Sequence, residues 1–266
     1  MYLLLNDNKY LYQIVESLLF CLVYNDKDCD LVSEINIKDD KNIYIIFSIN
    51  KVVELPSKFI IYNFEQLTTE REWSELFFDK CRKAYRVFDY SLENIKIFKK
   101  HNIKVNHLPF GWCPMIDPEY TISENDKNLD IIFLACKNKR RNDILNNYGN
   151  ICVYTDDKCF YNKYEDITKK AKFSFNIHYY EGNTILELTR IIPLICRGVI
   201  VISERSNDSY YDNIFKDICI FADFNDENNI KEIIKNYKFK DCILNKEKLI
   251  KKLNYVNIIS KNINLF

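Results

Sequence analysis

The chain has 266 residues, 47% of them apolar and 15% aromatic, which is enough to bury one large hydrophobic core or two smaller ones. Lys plus Arg and Asp plus Glu both total 38, so the formal net charge is zero, and any contact with nucleic acid or a membrane needs a local patch. The ten cysteines include no Cys-x-x-Cys pair, and the three histidines do not stand at ligand spacing to them. This argues against a zinc site and predicts reduced thiols in a cytosolic protein.

Strand-like and helix-like runs alternate along the whole chain, which is typical of α/β proteins with parallel sheets. In the first part, the predicted strands are Tyr2–Leu5, Asp30–Ile35, Asn42–Phe47, Lys58–Asn63, Arg86–Phe88 and Lys104–Leu108. The predicted helices of this part are Tyr10–Tyr24, Trp73–Lys83 and Leu92–Lys100. We expect no signal peptide and no membrane span, because the N-terminus lacks a basic region and the apolar stretch Ile14–Tyr24 is too short to cross a bilayer.

The polar segment 115–128 contains a proline and predicts a linker between two domains. In the second part, the predicted strands are Leu129–Leu134, Ile151–Tyr154, Phe173–Ile177, Val199–Ser203 and Ile218–Ala222. Predicted helices start near Arg141 and cover Glu227–Tyr237 and Lys246–Ile259. We therefore expect an N-terminal domain over 1–114, a second domain over 129–245, and a C-terminal helix within 246–266 that packs back on the first domain.

The stretch Phe173–Arg190 is the most informative part of the sequence. Its apolar run ends in a polar cluster, Gly182 follows, and a helical pattern is predicted to begin at Asn183 or Thr184. The first turn of a helix presents free backbone N–H groups and the positive end of its dipole, so this arrangement predicts an anion site. A second buried strand, Gly198–Ser203, completes a βαβ unit, and ligands of open parallel sheets bind at the carboxyl ends of the strands.

Polar or charged side chains follow almost every predicted strand. These clusters are Asn63–Gln66, Asp89–Ser91, Pro109–Gly111, Asn138–Arg141, His178–Glu181 and Glu204–Arg205. If both sheets are parallel, the clusters lie along one edge of each domain, and two such domains facing each other enclose a polar cleft. The alternative is that strands simply end in polar loops.

Several blocks resemble glycosyltransferases of the two-Rossmann-domain type, GT-B, in the broad group 1 set that includes short viral and bacterial members. The matching blocks are Ile60–Leu67, Val87–Asn94, Val105–Trp112, Ile132–Leu145, Asn176–Glu181 and Leu186–Glu204. They occur in order over roughly residues 1–235, and the ordered set is more specific than any one block. Two departures stand out: Ala135 and Cys136 replace a frequent glycine, and Glu181 and Glu187 are six residues apart where retaining members have eight, so a retaining mechanism is not supported.

The resemblance implies an α/β fold of two Rossmann-like domains facing each other across a cleft, with a nucleotide-sugar donor in the second. The donor's diphosphate needs cations and backbone donors, for which Arg140 and Arg141 are the candidates, beside Asn138. The helix start predicted at Asn183–Thr184 supplies its N-terminus to the same group, so no metal or other cofactor is required. The alternative for the arginines is a solvated basic run at a helix start.

A carboxylate suits the hydroxyl pair of the donor's ribose. Glu187 is the first candidate for this contact, followed by Glu204 and Glu181. The alternative for Glu187 is an intrahelical ion pair with Arg190, which is also assigned to the donor site. His178 follows its strand directly and is placed where it can meet the sugar or the diphosphate. Its alternative is a hydrogen-bonded structural role.

An inverting transferase needs a base for the acceptor hydroxyl. Glu65 is the first candidate and Asp89 the second, and either residue can instead cap a helix. The remaining strand-end residues of the first domain are assigned to acceptor binding, namely Asn63, Gln66, Tyr90 and Gly111. The expected acceptor is a glycan, a protein or a modified base.

Other protein classes match the sequence less well. A metal-dependent GT-A transferase needs Asp-x-Asp at a strand end, and the only matches, Asp26–Asp28 and Asp28–Asp30, follow a helix-like run. Four glycines in the whole chain cannot form a dinucleotide-binding glycine motif or a P-loop. A non-catalytic nucleotide-binding or scaffold protein of the same fold stays open. Heavy use of Asn, Lys, Ile and Tyr indicates an AT-rich genome, such as that of a large DNA virus or a low-GC bacterium. We expect a cytoplasmic protein, in the host cytoplasm if it is viral.

Overall fold

The computed structural model describes residues 1–67, 73–149, 151, 153–155, 159–182 and 184–266. The chain divides into two compact units. Unit 1 consists of Met1–Met115 together with Leu253–Phe266, and unit 2 consists of Ile116–Lys252. Among the described residues, no helix is both long enough and apolar enough to cross a membrane.

Strands and helices alternate in both units. The strands are β1 (Tyr2–Leu5), β2 (Cys29–Val32), β3 (Ile43–Ile46), β4 (Phe59–Asn63), β5 (Arg86–Asp89), β6 (Asn106–His107), β7 (Leu129–Phe133), β8 (Val153–Thr155), β9 (Ala171–Asn176), β10 (Ile200–Ser203) and β11 (Ile220–Phe221). The α-helices are α1 (Tyr12–Tyr24), α2 (Glu75–Lys83), α3 (Leu92–Lys100), α4 (Lys139–Asn146), α5 (Tyr161–Lys170), α6 (Leu188–Cys196), α7 (Ser209–Phe215), α8 (Glu227–Lys235), α9 (Phe239–Lys252) and α10 (Tyr255–Lys261).

The sheet of unit 1 is parallel throughout, with the strand order β2-β1-β3-β4-β5-β6. All five residues of β4 are buried, as expected for a central strand that is covered on both faces. The strand order reverses between β1 and β3, because the chain first places β2 beside β1 and then returns to its other side. Such a topological switch point is where open α/β sheets form a crevice at the carboxyl ends of their strands.

The C-terminal residues of unit 1 pair with the segment around Trp112. The backbone N–H of Trp112 donates to the Leu253 carbonyl at 2.7 Å, and the N–H of Tyr255 donates to the Trp112 carbonyl at 2.7 Å. The helix predicted over Lys246–Ile259 is therefore two helices, because residues 253 and 254 leave helical geometry to make this pairing. Asn254 then caps α10, its side chain accepting from the Asn257 N–H.

The sheet of unit 2 is also parallel, with the order β11-β10-β9-β7-β8. Its order reverses between β7 and β9, which gives this unit its own switch point. The polar segment that predicted a linker is anchored in the unit, since Ile116 is fully buried. Lys127 is also buried, and its ammonium donates to the carbonyls of Thr168 and Arg197 at 3.3 and 3.2 Å.

Candidate functional site

The carboxyl edge of the unit 2 sheet brings together most of the side chains that the sequence assigned to a donor. Residues 134–138 follow β7, residues 177–182 follow β9, and residues 204–208 follow β10. The first two segments flank the switch point between β7 and β9. Ligands of open α/β sheets bind at this position, so the side chains of these loops are the first candidates for a binding site.

Asn176, the last residue of β9, lies at the centre of the site and is fully buried. Its amide nitrogen donates to Glu187 Oε2 and to Ser203 Oγ, both at 2.9 Å. Its amide oxygen accepts from Arg190 Nη1 at 2.8 Å. Sequence reasoning did not assign this residue to the site, although its position as the polar end of an apolar strand was the available signal.

His178 and Glu187 form a buried ion pair beside Asn176. His178 Nδ1 lies 3.0 Å from Glu187 Oε1, and His178 Nε2 lies 3.1 Å from the carbonyl oxygen of Arg205. A carboxylate and a carbonyl can only accept hydrogen bonds, so both ring nitrogens donate and the ring is an imidazolium. Both ring nitrogens of His178 thus face protein partners, which is the arrangement of its alternative, structural role, and its predicted contact with the sugar or diphosphate stays a prediction.

Burial and charge act against each other in this pair. Burial alone would lower the pKa of His178, but the carboxylates of Glu187 and Glu204 and the Arg205 carbonyl outweigh it and raise that pKa. Burial likewise opposes ionisation of Glu187, but His178, Arg190 and the amide of Asn176 lower its pKa to about 2. Both shifts favour the charged forms, and Glu187 contacts His178 while Arg190 also stabilises its charge.

Arg140 is held by Glu204 in a two-pronged ion pair. Its Nη2 donates to Glu204 Oε1, and its Nη1 donates to Glu204 Oε2 at 3.1 Å and to the His178 carbonyl at 2.8 Å. Glu204 Oε2 also accepts from the backbone N–H of His178 at 2.7 Å. The exposed Glu181 carboxylate lies 3.6 Å from Arg140 Nε. This planar fork is the geometry in which a guanidinium binds either a carboxylate or a phosphate.

Arg141, the neighbour of Arg140, is instead buried and bound to the backbone. Its Nε and Nη2 donate to the Ile177 carbonyl at 3.0 and 2.7 Å, and its Nη1 donates to the Cys136 carbonyl at 2.6 Å. Only 2% of the residue is exposed, and burial together with nearby Arg190 lowers its pKa to about 10. Arg141 therefore joins the segments after β7 and β9, which is a different role from the phosphate contact that the sequence predicted for it.

Asn138 strengthens the same connection. Its side-chain oxygen accepts from the backbone N–H of Arg141 at 2.9 Å and so caps the N-terminus of α4. Its amide nitrogen donates to the Tyr179 carbonyl at 2.6 Å. The residue is thus at the switch point as expected, with both ends of its amide engaged in positioning the loops.

The helix start predicted at Asn183–Thr184 is wrong, because α6 begins at Leu188 with Glu187 as its N-cap. Thr184 lies in extended chain, where its N–H donates to Asn207 Oδ1 at 3.0 Å and its carbonyl accepts from the Asn207 N–H at 2.9 Å. Asn183 lies outside the described residues. Pairing of Glu187 with His178 fixes the residue before the helix, a constraint that local periodicity does not reveal.

At the carboxyl edge of the unit 1 sheet, Asp89 is fully buried and serves as an acceptor for its neighbours. Its carboxylate accepts from Asn63 Nδ2 at 2.6 Å, from the Ser91 N–H at 2.7 Å and from Asn94 Nδ2 at 3.0 Å. This network occupies both oxygens of Asp89 and the amide of Asn63, while the predicted roles of Asp89 as a base and of Asn63 as an acceptor contact stay predictions. The loop at Glu65 is fixed by the same network, since Asn94 Nδ2 donates to the Glu65 carbonyl at 2.7 Å.

The other candidates of unit 1 differ in burial and contacts. Tyr90 is buried and stacks on Phe64 with ring centroids 5.4 Å apart. A Cβ on Gly111 would lie 2.3 Å from the Leu253 carbonyl oxygen, so the close approach of these two segments accounts for a glycine at this position. Glu65 is half-buried, and Asn50 Nδ2 donates to its carboxylate at a long 3.5 Å. Gln66 is half-buried as well.

Two residues at the unit 1 switch point were not assigned by sequence reasoning. Asn8 follows β1 and Ser48 follows β3, and Asn8 Nδ2 donates to Ser48 Oγ at 3.1 Å across the switch point. The Asp-x-Asp match at Asp28–Asp30 lies at the amino end of β2, which is the wrong edge for a strand-end metal site. Within the described ranges, no three or more His, Cys, Asp or Glu side chains come together as a metal-binding group.

Comparison with known proteins supports the fold. No protein-family profile matches the chain. An uncharacterized protein of Acanthamoeba polyphaga mimivirus is 27% identical over 233 residues, which cover 81% of this chain and 78% of the viral protein.

Three solved structures with a similar fold are a glycosyltransferase or a complex that contains UDP. A glycosyltransferase involved in avilamycin A biosynthesis gives a TM-score of 0.63 at 9% identity, covering 99% of this chain and 96% of its own. An α-glucosyltransferase in complex with UDP and a 13-mer DNA gives 0.60 at 12% identity, covering 99% and 98%. S. aureus TarM in complex with UDP gives 0.58 at 12% identity and covers 84% of this chain, which spans only about half of TarM (55%). The chain therefore has the fold of GT-B glycosyltransferases.

Proposed function

We propose that this chain is a glycosyltransferase that binds a nucleotide-sugar at the carboxyl edge of the unit 2 sheet and transfers the sugar to an acceptor hydroxyl. The observation that carries the proposal is the guanidinium of Arg140, held in a carboxylate fork at the switch point between β7 and β9. A phosphate presents oxygens of the same geometry as the Glu204 carboxylate, so a diphosphate can take its place on Arg140. The shared fold with glycosyltransferases, some of them bound to UDP, supports this assignment.

The neighbouring residues take separate roles in this scheme. Arg140 neutralises charge on the leaving diphosphate, while Arg141 and Asn138 hold the two loops in register and make no direct contact with the donor. Of the three carboxylates, Glu181 has the most exposed side chain, at 78%, and we assign it a hydroxyl of the ribose or sugar. Glu187 acts as a positioning residue through His178, since both of its oxygens already accept hydrogen bonds.

Transfer needs the acceptor oxygen to attack the anomeric carbon while the bond from that carbon to the diphosphate breaks. The acceptor hydroxyl gives up its proton in this step, and the leaving diphosphate takes the electron pair of the broken bond. We assign the proton to Glu65, because Asp89 is fully buried and engaged. Cationic and backbone groups of the chain neutralise the diphosphate, and the proposed reaction uses no metal.

A non-catalytic nucleotide-sugar-binding protein of the same fold is the second candidate. It is favoured by the carboxyl edge of unit 1, where Asn63, Asp89, Tyr90 and Gly111 all have packing or hydrogen-bonding roles within the unit. Release of free nucleotide in the presence of acceptors separates the two functions. A binding protein forms the complex without turnover.

The site of action is proposed to be the cytoplasm, of the host if the protein is viral. The described cysteines form no disulfide, which agrees with a reducing compartment. The similarity to a mimivirus protein supports a viral origin.

A thermal-shift panel of UDP-, GDP-, CMP- and dTDP-sugars, with and without EDTA, tests the proposal. A ligand at 100 times its dissociation constant adds about 2.7 kcal/mol of stability. At about 2–4 °C per kcal/mol for a chain of this size, this raises the Tm by about 5–11 °C. We expect one nucleotide family to give a shift that EDTA does not change. A flat panel contradicts donor binding, and a shift that EDTA abolishes contradicts metal independence.

A further inference from the structure

A cavity of about 480 Å³ lies at the amino-terminal edge of the unit 1 sheet. Arg86 begins β5 and Asn106 begins β6, and both line the cavity. The other end of β5 is Asp89, which belongs to the polar network at the carboxyl edge. At about 3.3 Å per residue, β5 separates the cavity from that network by about 10 Å. The cavity is thus distinct from the acceptor candidates of unit 1.

The lining of the cavity is basic. Arg82, Arg86 and Lys104 contribute to it, and no Asp or Glu does. Arg82 is neutralised by Glu75 and Asp79, whose oxygens lie 2.7 and 2.5 Å from its Nη1. In the part of the chain that the structure describes, no ion pair joins Arg86 or Lys104 to a carboxylate. Two cations therefore face the same concave surface without a protein anion to match them.

The two cations lie beyond the ends of their helices. Arg86 is the first residue of β5, and Lys104 lies in the connection between α3 and β6. The lining also includes Arg82 and Ala84 at the C-terminal end of α2 and Asn102 just after α3, so the negative ends of two helix dipoles offset part of this positive charge.

An exposed aromatic ring accompanies the cations. Tyr85 lines the cavity and is 71% exposed, and the guanidinium carbon of Arg86 lies 5.7 Å from the centroid of its ring. A flat ring that bases can stack on, next to cations that follow a phosphate backbone, is how sequence-tolerant nucleic-acid sites are built. A volume of about 480 Å³ is also within the range of small-ligand sites.

We propose that this cavity is a second binding site, for a nucleoside phosphate that is either free or part of a single nucleic-acid strand. Arg86 and Lys104 bind the phosphate, and Tyr85 stacks on the base. Because the chain as a whole carries no net charge, such a ligand is held by this local patch and not by a general field. The site does not depend on the proposed transferase activity.

Fluorescence anisotropy with a labelled oligo-dT tests the site, with dTMP as an unlabelled competitor. The double variant Arg86→Gln/Lys104→Gln is compared with Lys38→Gln/Lys41→Gln, which removes the same charge from exposed lysines of unit 1. We expect the first pair to weaken binding at least tenfold and the second less than twofold. Loss of two phosphate contacts to a single strand should also reduce the slope of log K against log salt by about 1.4.

The remaining arms identify the ligand and the ring. Tyr85→Ala is expected to weaken binding of the oligonucleotide at least fivefold. If the site binds inorganic phosphate but not dTMP or the oligonucleotide, and Tyr85→Ala has no effect on phosphate binding, the proposal is overturned. Competition by dTMP at similar affinity identifies a free nucleotide as a sufficient ligand, whereas binding of the oligonucleotide alone identifies a strand. Equal affinity in wild type and in Arg86→Gln/Lys104→Gln, or no binding by wild type, also overturns it. Arg140→Gln, which lacks the proposed donor contact of unit 2, is expected to bind the oligonucleotide as wild type does, so failure of donor binding in unit 2 is scored separately. Loss of oligonucleotide binding in Arg140→Gln would place the strand in unit 2 and overturn the proposal.

Discussion

Replacing Glu187 by glutamine should remove one charge of a buried pair and leave the other unmatched. The side chains of His178 and Glu187 are only 4% and 11% exposed. The fold lowers the pKa of Glu187 from 4.5 to about 2. At about 1.36 kcal/mol per pKa unit, this corresponds to about 3 kcal/mol of stability. Breaking a buried ion pair on one side typically costs about 3–5 kcal/mol, which agrees with that value.

The stability lost in Glu187→Gln should depend on pH in a way that the two pKa shifts define. The pKa of Glu187 is lowered by folding, so its contribution is complete above pH 4.5 and disappears as the pH falls towards 2. The pKa of His178 is raised, so its contribution is complete below pH 6.5 and disappears as the pH rises through the folded value. The stability difference between wild type and Glu187→Gln is therefore expected to be largest between about pH 4.5 and 6.5.

The assay must report on unit 2 alone. Both tryptophans, Trp73 and Trp112, are in unit 1, so their fluorescence follows that unit and serves as an internal control. Hydrogen exchange of the β9 amides measures the opening free energy of unit 2 at pH 5.5. Glu181→Gln, whose wild-type side chain is 78% exposed, should change it by less than about 0.5 kcal/mol. A Glu187→Gln variant as protected as wild type at pH 5.5 would refute the buried pair.

Two further predictions concern unit 1 and the packing of its C-terminal segment. Gly111→Ala should cost about 1–3 kcal/mol and lower the Tm, because the new Cβ would lie 2.3 Å from the Leu253 carbonyl oxygen. The control Gly149→Ala should leave the Tm almost unchanged, because the nearest atom to its Cβ is 3.6 Å away. Equal Tm values for the two variants would contradict the close approach of Gly111 to Leu253. Asp89→Asn should destabilise unit 1 by at least about 2 kcal/mol in urea unfolding followed by tryptophan fluorescence, because the new amide meets N–H donors. The control Asp79→Asn, on an exposed ion pair, should cost less than about 1 kcal/mol, and a similar cost for both would refute the network.

Apolar runs in the sequence were sufficient to predict the parallel sheets, because strands buried on both faces have few polar residues. The strand Phe59–Asn63 and the strand Leu129–Phe133 lie where such runs predict them. The start of α6 was not predictable, since it depends on Glu187 binding His178, nine residues earlier in the chain. The glycine at Gly111 has its reason in a segment 142 residues away, which no local pattern contains.

The site shows the same division between local and distant information. Arg140 and Arg141 are chemically alike and adjacent, so no local pattern distinguishes their roles. The structure separates them because successive helical residues point about 100° apart: one guanidinium reaches Glu204, and the other turns to the Ile177 carbonyl. Likewise, Asp89 and Glu65 both follow strands, but only Asp89 has three amide donors around it in the fold.

Binding of a nucleotide-sugar at Arg140 in unit 2 is the step on which the proposed transfer depends. Isothermal titration of the nucleotide identified by the thermal-shift panel, in EDTA, tests this most directly, with Lys139→Gln as a control for charge on the same helix. We expect Arg140→Gln to weaken nucleotide binding at least tenfold and Lys139→Gln to change it less than twofold. Glu204→Gln should bind the nucleotide as tightly as wild type or more tightly, because the loss of the carboxylate frees the Arg140 guanidinium. Nucleotide binding by Arg140→Gln with wild-type affinity would contradict the proposed donor contact of Arg140.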